Sequence, residues 1–390
     1  MTPKPRRAPG EPKAPWLDID ALLADPATKT IVCCGSGGVG KTTTAAALAV
    51  RAAEKGRSVV VLTIDPARRL AQSMGLVELG NEPRPVKAID RSAGGSLDAM
   101  MLDMKRTFDE IVEAHSDPER AAVIFANPFY QSMSSSFAGT QEYMAMEKLG
   151  QLRAKADAES LWDLIIVDTP PSRSALDFLD APKRLGSFLD GRFMRILVAP
   201  AKAGGRVYLR AVGAGLGAVT TVLSKVLGAQ VLKDLQTFVM ALDSTFGGFR
   251  ERADATYSLL QAPGTAFLVV AAPEPDALRE ASYFVERLAA EGMPLAGLVV
   301  NRAHRTATRL TAGQALAGAE RLDQAGGHDR TAGLLRVHAE LAQRVAAEQR
   351  LVARFAAAHP SVPRVEAPAQ ATDVHDLAGL RRIGAGLAER

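Results

Sequence analysis

A glycine-rich segment near residue 35 has the residue types and spacing of a phosphate-binding loop. It fits the pattern G-x-x-x-x-G-K-[ST] and consists of Gly35, Ser36, Gly37, Gly38, Val39, Gly40, Lys41 and Thr42. The glycines let backbone N–H groups surround phosphate oxygens without interference from side chains. We expect the Lys41 amine to reach the β- and γ-phosphates and the Thr42 hydroxyl to hold Mg²⁺.

Two aspartates follow apolar runs and are candidates for the same site. Asp168 ends the run Leu164–Val167, and an aspartate at this position is typical of a residue that holds Mg²⁺ directly or through water. Asp65 follows Thr63 and Ile64, where a carboxylate can orient or deprotonate an attacking water. Two other interpretations remain open: Asp168 as a strand-end cap, and Asp65-Pro66 as a turn.

The elements that must position these residues are indicated by hydrophobic runs. Buried strands are predicted at 29–34, 58–64, 161–167, 266–271 and 295–300, with a weaker one at 195–198. A helix is predicted to start at Thr43, directly after the loop, so its positive end faces the phosphates. Continuous apolar runs favour a parallel sheet covered on both faces, and hence a doubly wound α/β fold of the phosphate-loop NTPase type.

The remaining long stretches are predicted to be helical additions to one domain. Insertions are expected at about 97–152 and 185–260, and a late helix at 334–357 with an apolar stripe that includes Leu334 and Val337. Residues 1–15 are rich in proline and charge and are expected to be a disordered leader, with 16–390 forming a single ATPase domain.

Composition excludes several classes of protein. The 390 residues carry a net charge of only +4 and 5% aromatic residues, which argues against nucleic-acid binding. The two cysteines are adjacent, so a disulfide framework is excluded and a reducing, cytoplasmic location is expected. The sequence has no run of about 18 apolar residues, so no integral membrane segment is expected, and it has no apolar core of a signal peptide.

Four segments occur in a characteristic order: the loop at 35–43, Asp65-Pro66-Ala67, Asp168-Thr169-x-Pro, and Val299-Val300-Asn301-Arg302. Together they resemble the ArsA-like family of arsenical-pump and guided-entry ATPases, within the deviant Walker-A class of phosphate-loop NTPases. The resemblance spans roughly residues 29–385 and is closest to actinobacterial members. It implies an ATP- and Mg²⁺-dependent dimer.

The resemblance also implies a role for each matched residue. The nucleotide phosphates would bind Gly35, Ser36, Gly37, Gly38, Val39, Gly40, Lys41, Thr42 and Thr43. Lys41, Asp65 and Asp168 would be catalytic, with Asp65 acting on the attacking water, and Thr42 and Asp168 would hold the metal.

Three further positions are implied at the nucleoside end of the site. Asn301 would read the adenine edge, since an amide both donates and accepts hydrogen bonds; without the resemblance it is equally well interpreted as a strand-end turn residue. Pro273, in the pair Pro273-Glu274, would lie near the nucleotide and the dimer interface. Residues 362–376 would supply a loop that closes over the adenine.

The chain departs from the family at two points. Ser36 occupies the place of a signature lysine that reaches the partner's phosphates across the dimer, so a cation must come from elsewhere; Arg68, Arg69 and Arg173 are candidates within the chain. Cys33 and Cys34 lie on a predicted core strand, so arsenite binding of the kind found in thiol-rich members is not expected, and the sequence has no C-x-x-C zinc clasp.

These observations leave three hypotheses. The first is a dimeric ATP-hydrolysing switch that handles a protein client. Methionines in 97–152 and small residues at 211–223 could offer it an adaptable surface, although such stripes are usually core and favour a helical layer that covers the sheet. The second is a regulatory or scaffold subunit with weak turnover, in a heterodimer with a related ATPase. The third, a membrane-positioning ATPase, is disfavoured because 377–390 has too little bulky apolar surface for anchoring.

Overall fold

One mixed sheet organises the molecule. The computed structural model describes residues 15–64, 69–76, 79–128, 130–131, 134, 140–170 and 249–389. Within these ranges eight strands form a single sheet in the order β3-β4-β2-β5-β1-β6-β7-β8. The strands are β1 (Thr30–Cys34), β2 (Ser58–Thr63), β3 (Arg84–Pro85), β4 (Ser96–Met101), β5 (Leu164–Asp168), β6 (Thr265–Ala271), β7 (Leu295–Ala303) and β8 (Arg364–Pro368).

Helices connect and cover these strands. The described helices are α1 (Ile19–Ala24), α2 (Lys41–Glu54), α3 (Arg69–Ser73), α4 (Met104–His115), α5 (Pro118–Ala126), α6 (Thr140–Glu159), α7 (Phe249–Gln261), α8 (Pro275–Ala290), α9 (Ala312–Ala325), α10 (Asp329–Ala358) and α11 (Leu377–Ala388). No helix in these ranges is both long and apolar enough to cross a membrane.

The sheet winds outward from its centre in both directions. Every neighbouring strand pair is parallel except β3 with β4. The chain enters at β1, moves to β2 and β4 on one side, returns to β5, and then continues through β6, β7 and β8 on the other side. Right-handed crossovers in opposite directions place helices on opposite faces. The predicted doubly wound α/β fold is therefore confirmed.

The core lies where the sequence is most continuously apolar. Strands β1, β5 and β6 are buried at every position, as expected for parallel strands covered on both faces. Helix α2 is buried on two sides because α11 packs on its outer surface. A Cβ atom at Gly384 of α11 would lie 3.3 Å from the carbonyl oxygen of Ala47, so the absence of a side chain there allows this close approach.

Three strands were missed by the hydrophobic pattern: the two-residue edge strand β3, β4 and β8. The expected helical insertion at 97–152 begins instead with β4, which pairs with β2, and helices follow only from Met104. The β4 sequence contains Asp98 and two methionines, so local propensity does not mark it; pairing with a buried neighbour decides its conformation. Residues 364–368, expected in a loop over the adenine, form edge strand β8, where Pro368 is tolerated at the strand end.

The apolar stripe predicted for the late helix is exposed to solvent at its start. Leu334 and Val337 are 70% and 63% exposed, whereas Ala332 and Ala339 are buried on α10. Alanines on α9 (Ala315 and Ala319) are buried too, so the two helices approach through small side chains. The contact between α9 and α10 therefore buries alanines and leaves Leu334 and Val337 exposed.

The expected methionine surface is largely core. Met100, Met144 and Met146 are fully buried in the described part of the chain. The predicted strand at 195–198, the small-residue stretch at 211–223 and Met133 lie outside the described residues. Of the second helical insertion at 185–260, only the part within α7 is described, and it is helical.

The Arg57 guanidinium fastens the entry of β1 to the start of β5. It donates five hydrogen bonds: to the carbonyl oxygens of Leu23, Asp25, Thr28 and Asp163, and to the Asp163 carboxylate. The Arg57 side chain is only 11% exposed. A planar guanidinium serves this role because its donors are fixed in direction.

Replacement of Arg57 by alanine is expected to lower the free energy of unfolding by about 2–4 kcal/mol, because charge-assisted hydrogen bonds are lost and partly buried carbonyls remain unsatisfied. Chemical denaturation measures this change. The exposed Arg91 provides a control, and Arg91→Ala should shift stability by less than about 0.5 kcal/mol. Equal stability of the two variants would contradict the role assigned to Arg57.

Candidate active site

The candidate site lies at the carboxyl edge of the sheet, where β1 leads into the loop 35–40 and then α2. Parallel strands bring the ends of β1, β5, β6 and β7 to this same edge. Helix α2 begins at Lys41, so the N–H groups of its first turn and its positive dipole end face the space above the loop. This is a backbone environment suited to anions.

Two glycines shape the loop through close contacts. Gly35 has φ +150°, and a Cβ atom there would lie 2.1 Å from the carbonyl oxygen of Val270 on β6. Gly40 has φ +91°, and its Cβ would lie 2.2 Å from the Asn301 Nδ2 atom. A side chain at either position would therefore push the loop away from the strands that support it.

The Lys41 amine is held over the loop that it follows. Its Nζ atom donates a hydrogen bond to the carbonyl oxygen of Ser36 at 2.8 Å, and the residue is 5% exposed. The side chain thus folds back across the concave side of the loop instead of extending into solvent. An ammonium group in this position can exchange the carbonyl for a phosphate oxygen.

A buried carboxylate joins three elements beside the lysine. Asp168, at the end of β5, is 0% exposed. Its Oδ2 atom accepts a hydrogen bond from the Thr42 hydroxyl at 2.7 Å and another from the Thr63 hydroxyl at 2.9 Å. The three residues come from β5, α2 and β2, so the carboxylate fixes the relative position of the loop helix and two strands.

This arrangement fits a magnesium ion. Mg²⁺ prefers a few hard oxygen ligands and retains several waters, rather than a closed protein cage. The Thr42 hydroxyl can offer a lone pair to a cation while it donates its proton to Asp168, and the carboxylate adds the negative charge that such an ion needs. Thr42 and Asp168 are therefore the residues that would hold it, as the sequence predicts.

The residue after Asp168 secures the strand end. The Thr169 hydroxyl donates to the carbonyl oxygen of Cys33 at 2.9 Å, and the Thr169 N–H donates to the same oxygen at 3.2 Å. On the other side of β5, the N–H of Ile64 donates to the carbonyl oxygen of Asp168 at 3.0 Å. The backbone around the carboxylate is thus held from both neighbouring strands.

Asn301 supports the opposite side of the loop. Its Nδ2 group donates to the carbonyl oxygen of Val39 at 2.8 Å, and the residue is buried. This contact ties β7 to the loop immediately before α2 and agrees with a place in the site. Recognition of adenine by Asn301 stays a prediction.

Pro273 lies at the same edge, two residues beyond β6. It is buried and is the central residue of a tight turn in which the Glu274 N–H donates to the carbonyl oxygen of Ala272 at 2.8 Å. Asp65, Arg68 and Arg173, which the sequence singles out for catalysis or as replacement cations, lie outside the described residues. Arg69 starts α3.

The two cysteines are core residues, as predicted. Cys33 and Cys34 are buried on β1. Burial raises the pKa of the Cys33 thiol well above its ordinary value, with a further contribution from the nearby Asp168 carboxylate. Burial also raises the pKa of Cys34 to about 12. Both therefore stay protonated at neutral pH and offer no thiolate to a soft ion.

Sequence reasoning missed the role of Thr63. A threonine at the end of a buried strand is ordinary, and only the pairing of β2 with β5, which sets Thr63 opposite Asp168, reveals its partner. The nearest sequence signal was its position two residues before Asp65. Thr169 was noted only as part of the motif that begins at Asp168, yet its hydroxyl fastens the end of β5 to β1.

Replacement of Thr63 by valine is expected to raise the Mg²⁺ concentration for half-maximal ATP binding by about 10-fold or more. The reason is that the hydrogen bond from the Thr63 hydroxyl, which orients the Asp168 carboxylate as a metal ligand, is removed. Titration of Mg²⁺ at fixed ATP measures this shift. Thr63→Ser keeps the hydroxyl and should behave like the wild type. Thr30→Val removes the hydroxyl of a buried threonine at the start of β1, far from the loop, and controls for the loss of a core hydroxyl. An equal shift in the Mg²⁺ requirement of that variant would contradict the role assigned to Thr63.

Comparison with known proteins agrees with this geometry. A family model described as "Anion-transporting ATPase" matches residues 28–309. Curated relatives include "ATPase GET3" of Malassezia globosa, 30% identical over 43% of this chain and 46% of the relative, and "ATPase ASNA1 homolog 2" of Paramecium tetraurelia, 29% identical over 41% and 46%. The chain thus matches about half the length of these relatives. Since the family model covers most of the chain, including the loop, Asp168 and Asn301, the protein belongs to the anion-transporting ATPase family.

Proposed function

We propose that this protein binds ATP with Mg²⁺, hydrolyses it, and works as a dimeric switch that couples nucleotide state to the handling of a protein client. The observation that carries the proposal is the convergence of Lys41, Thr42 and Asp168 around the loop, with Lys41 and Thr42 each in hydrogen-bond contact and Asp168 buried. The name ATPase carried by the curated relatives supports the same activity.

The residues of this chain divide the work of phosphoryl transfer. The N–H groups of the loop and of the first turn of α2 bind the phosphate oxygens, and Lys41 transfers its hydrogen bond from Ser36 to them. Thr42 and Asp168 would hold Mg²⁺, which would supply positive charge to neutralise the phosphates. Asp65 is proposed to orient the attacking water, since it follows β2 by two residues and β2 lies beside β5 at the same edge.

The dimeric and client-handling parts rest on family membership, and the charge of the loop bears on how fast a dimer of this chain would hydrolyse ATP. The chain supplies one lysine to the loop, and Ser36 takes the place where the family resemblance implies a second. The Ser36 hydroxyl is buried and, within the described part of the chain, has no hydrogen-bond partner. A neutral group of this length cannot supply charge to a phosphate on a neighbouring subunit.

This feature also favours the second candidate function. A subunit that lacks the trans-acting cation would turn over slowly as a homodimer and would act as a regulatory or scaffold subunit beside a related ATPase. We propose that such a partner, or an arginine of this chain, provides the missing cation. The two functions share the ATP site and differ in turnover.

Lys41→Ala is expected to weaken Mg-ATP binding by about 10- to 100-fold, because charge-assisted hydrogen bonds to phosphate are lost. Calorimetry measures the affinity. Asp65→Asn should keep the affinity and lose turnover, which separates binding from hydrolysis. Lys29→Ala removes a half-exposed lysine at the opposite end of β1 and serves as control. Failure of the wild-type chain to bind either ATP or ADP would overturn the proposed function.

Ser36→Lys is expected to raise the turnover of the isolated protein, since a trans-acting cation typically accelerates phosphoryl transfer by about 10³-fold or more. Steady-state phosphate release measures the effect. Ser36→Gln adds length without charge and should leave turnover low. Fast hydrolysis by the wild-type protein that Ser36→Lys does not change would contradict the idea that a cation is missing.

A further inference from the structure

Strand β7 contains one strained residue, and it lies beside the phosphate loop. Arg302 has φ +60°, in the left-handed region that non-glycine residues rarely adopt. The pairing of β7 with β8 shows why: Val300 pairs with Glu366 and Ala303 with Pro368, so β7 carries one extra residue between these pairs. This is a β-bulge, a feature that redirects side chains and is frequent near active sites.

The bulge places Arg302 at the surface while its neighbours stay buried. Asn301 and Ala303 are both buried, whereas Arg302 is exposed. Within the described residues the Arg302 side chain makes no hydrogen bond or ion pair that would offset the strain. The side chain of the preceding residue, Asn301, donates a hydrogen bond to the Val39 carbonyl oxygen in the phosphate loop. Arg302 therefore directly follows a residue that contacts the loop.

The order of the strands indicates which part of a nucleotide faces Arg302. Asp168 and Thr42, which would hold Mg²⁺ next to the terminal phosphates, lie on the β5 side of β1. Asn301 and Arg302 lie on β7, two strands away from β1 on the other side. Neighbouring strands are about 4.8 Å apart, so roughly 14 Å separates the ends of β5 and β7. A nucleotide that lies along this edge with its terminal phosphates at Asp168 would therefore have its nucleoside on the β7 side.

We infer that Arg302 is a nucleotide-binding residue that stacks its guanidinium group on the face of the nucleotide's base. The planar, weakly hydrated guanidinium is suited to stacking on aromatic rings. The buried Asn301 amide and the exposed Arg302 then approach the nucleoside from adjacent positions of one bulge. The bulge sets the backbone conformation of Arg302 and presents its exposed side chain at this edge of the sheet. The inference rests on the proposed ATP binding.

The test compares a ligand that has a base with one that lacks it. Affinities of Mg-ATP and Mg-tripolyphosphate are measured by displacement of a fluorescent ATP analogue from the full-length protein. Arg302→Ala should weaken ATP binding by about 2- to 30-fold and leave tripolyphosphate binding unchanged. Arg302→Lys should fall between the wild type and the alanine variant, because an ammonium keeps the charge but lacks the planar surface.

Two further variants separate base stacking from backbone strain and from a general loss of surface charge. Arg302→Gly suits the left-handed backbone, so it should fold at least as stably as the wild type and still lose the same ATP affinity as Arg302→Ala. Arg350→Ala, at an exposed arginine in the second half of α10, should change neither affinity.

The outcomes separate this inference from the proposed function. Equal losses for ATP and tripolyphosphate would mean that Arg302 contacts phosphate, and unchanged ATP affinity in both the alanine and glycine variants would mean that it contacts no ligand; either result overturns the inference. Absence of ATP binding by the wild-type protein would instead overturn the proposed function.

Discussion

A single buried carboxylate oxygen organises the candidate site. The Oδ2 atom of Asp168 accepts hydrogen bonds from the Thr42 and Thr63 hydroxyls, which belong to the loop helix and to a neighbouring strand. Burial of a carboxylate without hydrogen-bond donors costs folding free energy, so the two hydroxyls make the burial of Asp168 possible. Because the donors come from distant segments, satisfying the carboxylate also aligns β2, β5 and α2. The same geometry leaves oxygen ligands where Mg²⁺ would be needed.

The loop is held from its other side by contacts that leave no room for side chains. Gly35 lies against the Val270 carbonyl and Gly40 against the Asn301 amide. The Asn301 amide in turn donates to the Val39 carbonyl, so the loop is clamped between β6 and β7 on one side and Asp168 on the other. A rigid loop of this kind presents its N–H groups in fixed positions, which is how a phosphate site avoids the entropic cost of ordering on binding.

The chain departs from the family resemblance at Ser36 in the loop and at the cysteines of β1. Ser36 provides no positive charge where the family resemblance implies a lysine, and the only cysteines in the sequence are buried and protonated. The protonated cysteines offer no thiolate to a soft metalloid ion, and the missing charge at Ser36 is the reason that the proposed function includes a partner or an arginine that supplies a cation. The strained Arg302 adds a candidate contact at the nucleoside end, next to Asn301.

The sequence by itself determined the loop, the central strands and the helix after the loop, because glycine spacing and continuous apolar runs are local properties. It also placed Asp168 at a strand end, which is correct, and Asn301 at another, which is wrong because β7 continues past Asn301 to Ala303. The partners of those residues were decided only by tertiary structure, since Thr63 meets Asp168 through strand pairing and Asn301 meets Val39 across 262 positions of sequence. Strands β4 and β8 were hidden for the same reason: their residues favour no strand locally, and pairing with an already buried neighbour imposes the conformation.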